Sequence, residues 1–448
     1  MRHAGLLVVA IGLLTLSACA SLRQPGRCFG RKLEKQIEQS PIFAKSFTGF
    51  VLLDPETGQV LADVHSDKYF TPASNTKILT LATCLQVLGD SIPALQTRRQ
   101  VLNEAENRSV LLLRGTGDPT FLHPQFQSWQ SAYGWLKNRS DTVQIWPRPP
   151  QPERFGPGWA WEDYPEAYSA ERSVLPMYGN TVRFTFSVGG YAVEPPFFQK
   201  NFDTTLYTVR IKRREHENLW ALPPYPTPQD TARWVPFTRT GFDLGALLAD
   251  TLGRPVEELT GREYEFVPDG WHTHYATPLD TVLRRMMHQS DNFIAEQMLL
   301  VCAGQKFNVL ESDTIIRWML DSVLTDLPQR PRWVDGSGLS RYNLISPHDL
   351  ALVLRKLWLE QPHRQLFDLF PSGGVSGTIA NRYAGENGQP YLFAKTGGMS
   401  GVHCLSGYIV TKRGKTLVFS FMHNNFVGTN RPWKEEMGRL LEFIREAY

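Results

Sequence analysis

Thr71-Pro72-Ala73-Ser74-Asn75-Thr76-Lys77 opens an apolar run of Ile78, Leu79, Leu81, Ala82, Cys84, Leu85, Val87 and Leu88 whose spacing predicts a helix. Pro72 before the run and Gly89 after it supply its ends. Positions three apart share a helix face, so Ser74 and Lys77 are expected side by side at a helix N-terminus. A serine hydroxyl becomes a nucleophile when a neighbouring base takes its proton. A lysine can be that base once burial or a nearby positive charge lowers its pKa. By itself the pair also fits a capping serine beside a solvated lysine, and the rest of the chain decides.

Two further stretches pair with it. Helical spacing returns at Pro278 with Leu279, Val282, Leu283, Met286 and Met287. A short polar turn, Ser290-Asp291-Asn292, then leads into a second helical run from Phe293. Such a turn is expected to push Ser290 and Asn292 out of the wall of a cleft, although either residue also serves as a helix cap. Further on, Tyr391 to Ala394 leads into Lys395-Thr396-Gly397-Gly398, followed by strands over Cys404 to Val410 and Lys415 to Met422. On a strand edge a Lys and a Thr can hold a carboxylate by charge and hydrogen bond, and the glycines let backbone approach closely.

The intervening segments give the organisation. Phe50 to Leu53 and Val60 to Ala62 flank a Pro/Gly turn and predict a hairpin. Residues 96 to 270 are rich in Pro, Trp, Tyr and Arg and read as a mainly β domain inserted into the first, with strands at Val110 to Leu113, at Val182, Phe184 and Phe186, and at Tyr207, Val209 and Ile211. Asp335-Gly336-Ser337-Gly338 is a glycine-rich turn, and Ser346-Pro347-His348-Asp349 is a helix start with Ser346 as its cap. Helical spacing closes the chain from Glu435 to Tyr448.

At the N-terminus Leu6 to Leu16 is an apolar run of signal-peptide length, ending in Leu16-Ser17-Ala18-Cys19. This resembles a lipobox, so residues 1–19 are expected to be a lipoprotein signal, Cys19 the lipidated residue and residues 20–30 a tether to a membrane surface. The remaining cysteines, Cys28, Cys84, Cys302 and Cys404, form no Cys-x-x-Cys pair. The charge is nearly balanced, with 47 Lys+Arg against 44 Asp+Glu, and offers no footprint for nucleic acid.

Ser74-x-x-Lys77, Ser290-x-Asn292 and Lys395-Thr396-Gly397, in that order and context, resemble the penicillin-recognising serine peptidase and β-lactamase superfamily, whose triple signature is a known set. The long insertion, together with Gly115-Thr116-Gly117-Asp118-Pro119 and Asp335-Gly336-Ser337-Gly338-Leu339-Ser340, is similar to the class C low-molecular-weight penicillin-binding proteins. The resemblance implies an α+β fold, an antiparallel sheet flanked by helices, with the transpeptidase-like domain split into residues 31–95 and 271–448 around the insertion. It implies a D-alanyl-D-alanine carboxypeptidase, or also an endopeptidase, acting on peptidoglycan stem peptides through an acyl-serine and acylated by β-lactams. Ser74 would be the nucleophile, Lys77 its base and Ser290 the proton relay. Asn292, Lys395, Thr396 and Gly398 would bind substrate, with no metal or cofactor. Two alternatives remain: a serine β-lactamase, for which Glu296 and Glu311 lie in the interval of a deacylating carboxylate but in helical patterns, and a non-catalytic, lipid-anchored wall-binding protein.

Overall fold

The computed structural model describes residues 25–103, 108–147, 150–187, 190–203, 205, 208–223, 232–259 and 270–448. The signal segment, Cys19, the first part of the tether and Tyr207 lie outside the described residues.

The chain's two ends build one sheet. Strands β1 (Phe47–Leu53) and β2 (Val60–Val64) form the expected hairpin. The C-terminal meander supplies β3 (Leu392–Met399), β4 (Val402–Val410) and β5 (Thr416–Asn424). The order is β3-β4-β5-β1-β2, antiparallel throughout, with Phe50 opposite Phe421 where the two ends meet. Successive side chains of a strand point to opposite faces. Phe50 and Leu52 enter one core and Val51 and Leu53 the other, all fully buried. That is why this strand reads as a continuous apolar run rather than an alternating one.

Helices cover both faces. On one side lie α1 (Pro25–Glu38), through Leu33 and Ile37, and a C-terminal helix, Arg431–Ala447, through Met437, Leu440, Leu441 and Ile444. The tether expected over residues 20–30 is therefore corrected from Pro25 onward: the segment is helical, and Phe29, Leu33 and Ile37, four residues apart, pack on the sheet. On the other face lie α2 (Lys77–Val87), α3 (Leu279–His288), α4 (Asn292–Phe307) and α5 (Pro347–Glu360). The start of α5 follows its sequence signature, with the Ser346 hydroxyl accepting from the Asp349 N–H at 3.0 Å.

The inserted region has a separate core. Strand Ser91–Asn103 leaves α2, and His272–Pro278 returns antiparallel beside it and runs straight into α3. These two form one end of a five-stranded mixed sheet, completed by Arg108–Gly115, Thr142–Ile145 and Val256–Glu258. A three-stranded sheet, order Ala232–Pro236, Thr181–Ser187, Gly190–Glu194, packs nearby. The aromatic composition becomes a core cluster in which Phe184, Phe198 and Phe237 gather around the buried Trp220. The strand expected through Val209 and Ile211 is not formed. Val209 is exposed, Ile211 is buried, and pairing starts at Lys212–Arg213.

Candidate active site

Ser74 lies in a single 3₁₀ turn, Ala73–Thr76, and α2 begins at Lys77 itself. The difference from a simple helix start tightens the expected contact, because residues three apart eclipse in a 3₁₀ turn. Lys77 Nζ lies 3.0 Å from Ser74 Oγ. Ala73 carries a φ of 47°, a left-handed conformation that costs a non-glycine residue about 1–3 kcal/mol. The turn is held from two sides by glycines. A Cβ on Gly338, itself at φ 79°, would collide with the Ala73 carbonyl, and one on Gly397 would collide with the Pro72 carbonyl.

The second turn arrives at the same place. Ser290 has φ 57°, again left-handed, and Asp291 caps α4 by accepting from the Ile294 N–H. Asn292 then begins α4 with its side chain toward the lysine, Lys77 Nζ donating to Asn292 Oδ1 at 2.7 Å. Asn292 Nδ2 donates to the Tyr168 carbonyl of the inserted region at 3.0 Å, which fixes the orientation of the amide. Lys77 also donates to the Ser337 carbonyl at 2.7 Å.

Lys395 reaches in from β3. Its Nζ is 2.8 Å from Ser290 Oγ and 2.9 Å from the Thr396 carbonyl. The Thr396 hydroxyl donates to Thr378 Oγ1 at 2.8 Å, and Gly398 is exposed with open space where a Cβ would stand. Ser74, Asn292 and Gly398 line one cleft of about 560 Å³. Glu162, Asp163 and Arg341 bring both signs of charge to the same cleft.

Both lysines are fully buried, for different effects. Burial lowers the Lys77 pKa to about 8, opposed by the negative charges of Asp335, Glu296 and Asp291. Lys395 is pushed well below its usual value by burial and then by the positive charge of Lys77. Of the two influences that can lower a lysine pKa, burial is the larger at both sites, and the mutual repulsion of the two ammonium groups adds to it.

Sequence reasoning did not place Glu296 and Asp335 beside Lys77, where both stand as counter-charges. Glu296 Oε1 accepts the Ser337 N–H at 2.7 Å, so this carboxylate is committed inside the protein rather than to the cleft. Asp335 accepts from the Gly338 and Ser340 N–H groups and from Trp159 Nε1. Glu311 precedes a short helix, is exposed, and accepts from Thr314.

The sequence profile of the D-Ala-D-Ala carboxypeptidase 3 (S13) family matches residues 30–190 and 269–443. The chain belongs to the S13 family. As an S13 member it is a peptidase and thus a hydrolase. It is 24% identical over 443 residues to the D-alanyl-D-alanine carboxypeptidase DacB of Haemophilus influenzae, covering 90% of each chain. It is 28% identical to the D-alanyl-D-alanine carboxypeptidase of an Actinomadura species, covering 88% of this chain and 80% of that one. Among solved structures, penicillin binding protein 4 of H. influenzae superposes with a TM-score of 0.71 at 19% identity, over 92% of this chain and 99% of that one. The same protein has been solved with a β-lactam, TM-score 0.67. These likenesses bear out the α+β fold of antiparallel sheets and helices.

Proposed function

We propose that this S13 peptidase is a serine-type D-alanyl-D-alanine carboxypeptidase that cleaves peptidoglycan stem peptides through an acyl-Ser74 intermediate. The observation that carries the reading is the set of partners around Lys77. Asn292 Oδ1 and the Ser337 carbonyl, both at 2.7 Å, are acceptors without a hydrogen to give. A neutral amine has two hydrogens and one lone pair. Its hydrogens go to those two oxygens, and its lone pair is left facing the Ser74 hydroxyl at 3.0 Å. A lysine with a pKa of about 8 has a useful neutral fraction near neutral pH.

In this mechanism Ser74 Oγ gives its proton to Lys77 as it attacks the carbonyl of the penultimate D-Ala. The oxyanion is met by the backbone N–H groups of Ser74 and Gly398, and one such donor is commonly worth about 3 kcal/mol of barrier. The Ser290 hydroxyl, hydrogen-bonded to Lys395, passes a proton to the departing amine. Lys395 and Thr396 receive the terminal carboxylate, Thr396 releasing Thr378 to do so. Water then hydrolyses the ester. β-Lactams acylate Ser74 by the same attack and are released slowly, since Glu296 is committed to Ser337 and Glu311 is engaged with Thr314. The protein would act in the cell envelope, held to a membrane by lipid on Cys19, and metabolic labelling with a tagged fatty acid tests that anchor against Cys19→Ala.

The experiment is product analysis on purified muropeptides. Release of one D-Ala, lost in Ser74→Ala, is the expected outcome. Cleavage of cross-linked dimers would add endopeptidase action, and rapid repeated hydrolysis of benzylpenicillin would replace the reading with a β-lactamase.

A further inference from the structure

The inserted region touches the surroundings of the catalytic lysine through a chain of buried groups. Lys77 Nζ donates to the Ser337 carbonyl, and the N–H of the same residue donates to Glu296 Oε1, each at 2.7 Å. The loop is pinned further by Thr80 Oγ1, which donates to the Gly336 carbonyl at 2.7 Å. Glu296 lies on α4, fully buried, and its Oε2 has no hydrogen-bond partner among the described residues. What faces that oxygen is Arg172, from the inserted region, with Nη1 at 3.9 Å. Arg172 is itself buried and held in place by donating to the Glu153 and Phe155 carbonyls and to Ser312 Oγ.

We propose that Glu296 and Arg172 are a positioning pair for Lys77. Glu296 fixes the Ser337 peptide that takes one lysine hydrogen and places a negative charge beside the amine. Burial and Asp335 raise the Glu296 pKa to about 7, and Arg172 opposes them, so that the carboxylate still carries charge where Lys77 titrates. The proposal rests on the reading of Lys77 as the base of Ser74.

The charges around the pair set the sign of its effect. Lys77 is faced by Glu296 from α4, Asp335 from the glycine-rich loop, Asp291 from the turn before α4 and Lys395 from β3. Asp291 is partly neutralised by Arg285 at 3.2 Å. Glu296 is faced by Asp335, which favours its protonated form, and by Arg172, which opposes this, with burial the largest influence. A buried carboxylate between these two neighbours changes its proton occupancy when the guanidinium is removed. Loss of the Glu296 charge takes a counter-charge away from the Lys77 ammonium. Lys77 then gives up its proton at lower pH.

The test is the pH profile of the second-order rate of Ser74 acylation by a fluorescent penicillin, with thermal melts as a fold control. Glu296→Gln keeps an acceptor for the Ser337 N–H and removes the charge. Its acid limb is expected below that of wild type, so that between about pH 7 and 8, where wild-type Glu296 still carries charge, its rate relative to its own plateau rises severalfold. Arg172→Gln is expected to shift the limb in the same direction, and Arg172→Lys to restore the wild-type position. In the Glu296→Gln background, Arg172→Gln is expected to cause no further shift. Limbs that coincide in all folded variants would overturn the proposal, as would an Arg172→Gln shift that persists without the Glu296 charge. If Glu296→Gln fails to fold, the Arg172→Gln and Arg172→Lys pair decides by the same limb. Wild-type protein that is not acylated at Ser74, or whose acylation survives Lys77→Met, would sink the underlying reading as well. A normal wild-type profile with unshifted variants sinks the positioning role alone.

Discussion

The cleft has two walls, and each presents a buried lysine. The helical wall, made by α2, α4 and the loop around Ser337, surrounds Lys77 with Glu296, Asp335 and Asp291. The strand wall, made by β3, gives Lys395 the Ser290 hydroxyl and the Thr396 carbonyl, and its electrostatic neighbour is another cation. Burial is the same and the chemistry is opposite. Where carboxylates offset desolvation, the amine stays near the titration range and can cycle a proton. Where they are lacking, the ammonium form is disfavoured until an anion arrives from outside. On the proposed mechanism, the comparison teaches that a lysine's role would be set by whether its counter-charge is built into the protein or carried by the substrate.

The most direct way to break this comparison is to remove each lysine in turn. Lys77→Met should lower acylation by about 10³- to 10⁴-fold, the upper range for a positioned general base. The loss should be equal for a stem peptide and for its C-terminal carboxamide, as measured by single-turnover kinetics. Lys395→Met should cost about 10- to 100-fold in kcat/KM, the worth of a charged hydrogen bond. That loss should shrink sharply for the carboxamide. Equal losses on both substrates for Lys395→Met would mean that the strand wall does not read the carboxylate.

A second way is to move the strand wall without touching its lysine. Gly397 and Gly398 are adjacent, yet a Cβ at Gly397 meets the Pro72 carbonyl and stands 3.1 Å from the Asn75 nitrogen, whereas at Gly398 it meets open space. Gly397→Ala should therefore push β3 from the Ser74 turn and cost about 1–3 kcal/mol of stability, the usual range for overpacking. Acylation should fall with it. Gly398→Ala should leave the melting temperature within about a degree or two of wild type. Calorimetry on both variants checks the contrast, and equal destabilisation would mean that the two walls are not in tight register.

How much of this could be read from sequence follows the same division. Ser74 and Lys77 were legible because three-residue spacing is local geometry, and Lys395-Thr396 because a strand before a meander has a local pattern. The built-in counter-charges and the partner of Glu296 were not, because Asp335 and Arg172 reach the site by long-range packing that leaves no periodicity. Glu296 is the instructive case. It stands four residues after Asn292 and so shares its helix face, a usable signal. Its helical setting argues against a deacylating base, yet a helix face toward the lysine is what the proposed positioning role requires. The tether was misread for a related reason: Pro25, Gly26 and Gly30 suggested a linker, while Phe29, Leu33 and Ile37 already carried helical spacing.

The strand wall also carries its own acid limit, which sharpens the comparison at the smallest scale. His403 on β4 lies opposite Gly398, and His423 on β5 lies opposite His403. His423 Nδ1 is 2.9 Å from Thr48 Oγ1, and Phe43 packs on its ring at 4.4 Å. Burial lowers the His403 pKa to about 3, and burial reinforced by His403 holds His423 well below the usual histidine value. Both are therefore neutral in the folded protein at the pH where the unfolded chain begins to protonate them. The unfolded state then binds more protons, so stability from this pair is fully present above about pH 6.5 and is lost as pH falls from there. The slope is about 1.4 kcal/mol per pH unit for each histidine. The measurement is stability between pH 6.5 and 5 by urea unfolding, comparing wild type with a His403→Asn, His423→Asn double variant. Wild type should lose more over that interval. Parallel curves would show that the pair titrates alike in both states, and that the strand wall is no more acid-sensitive than the helical one.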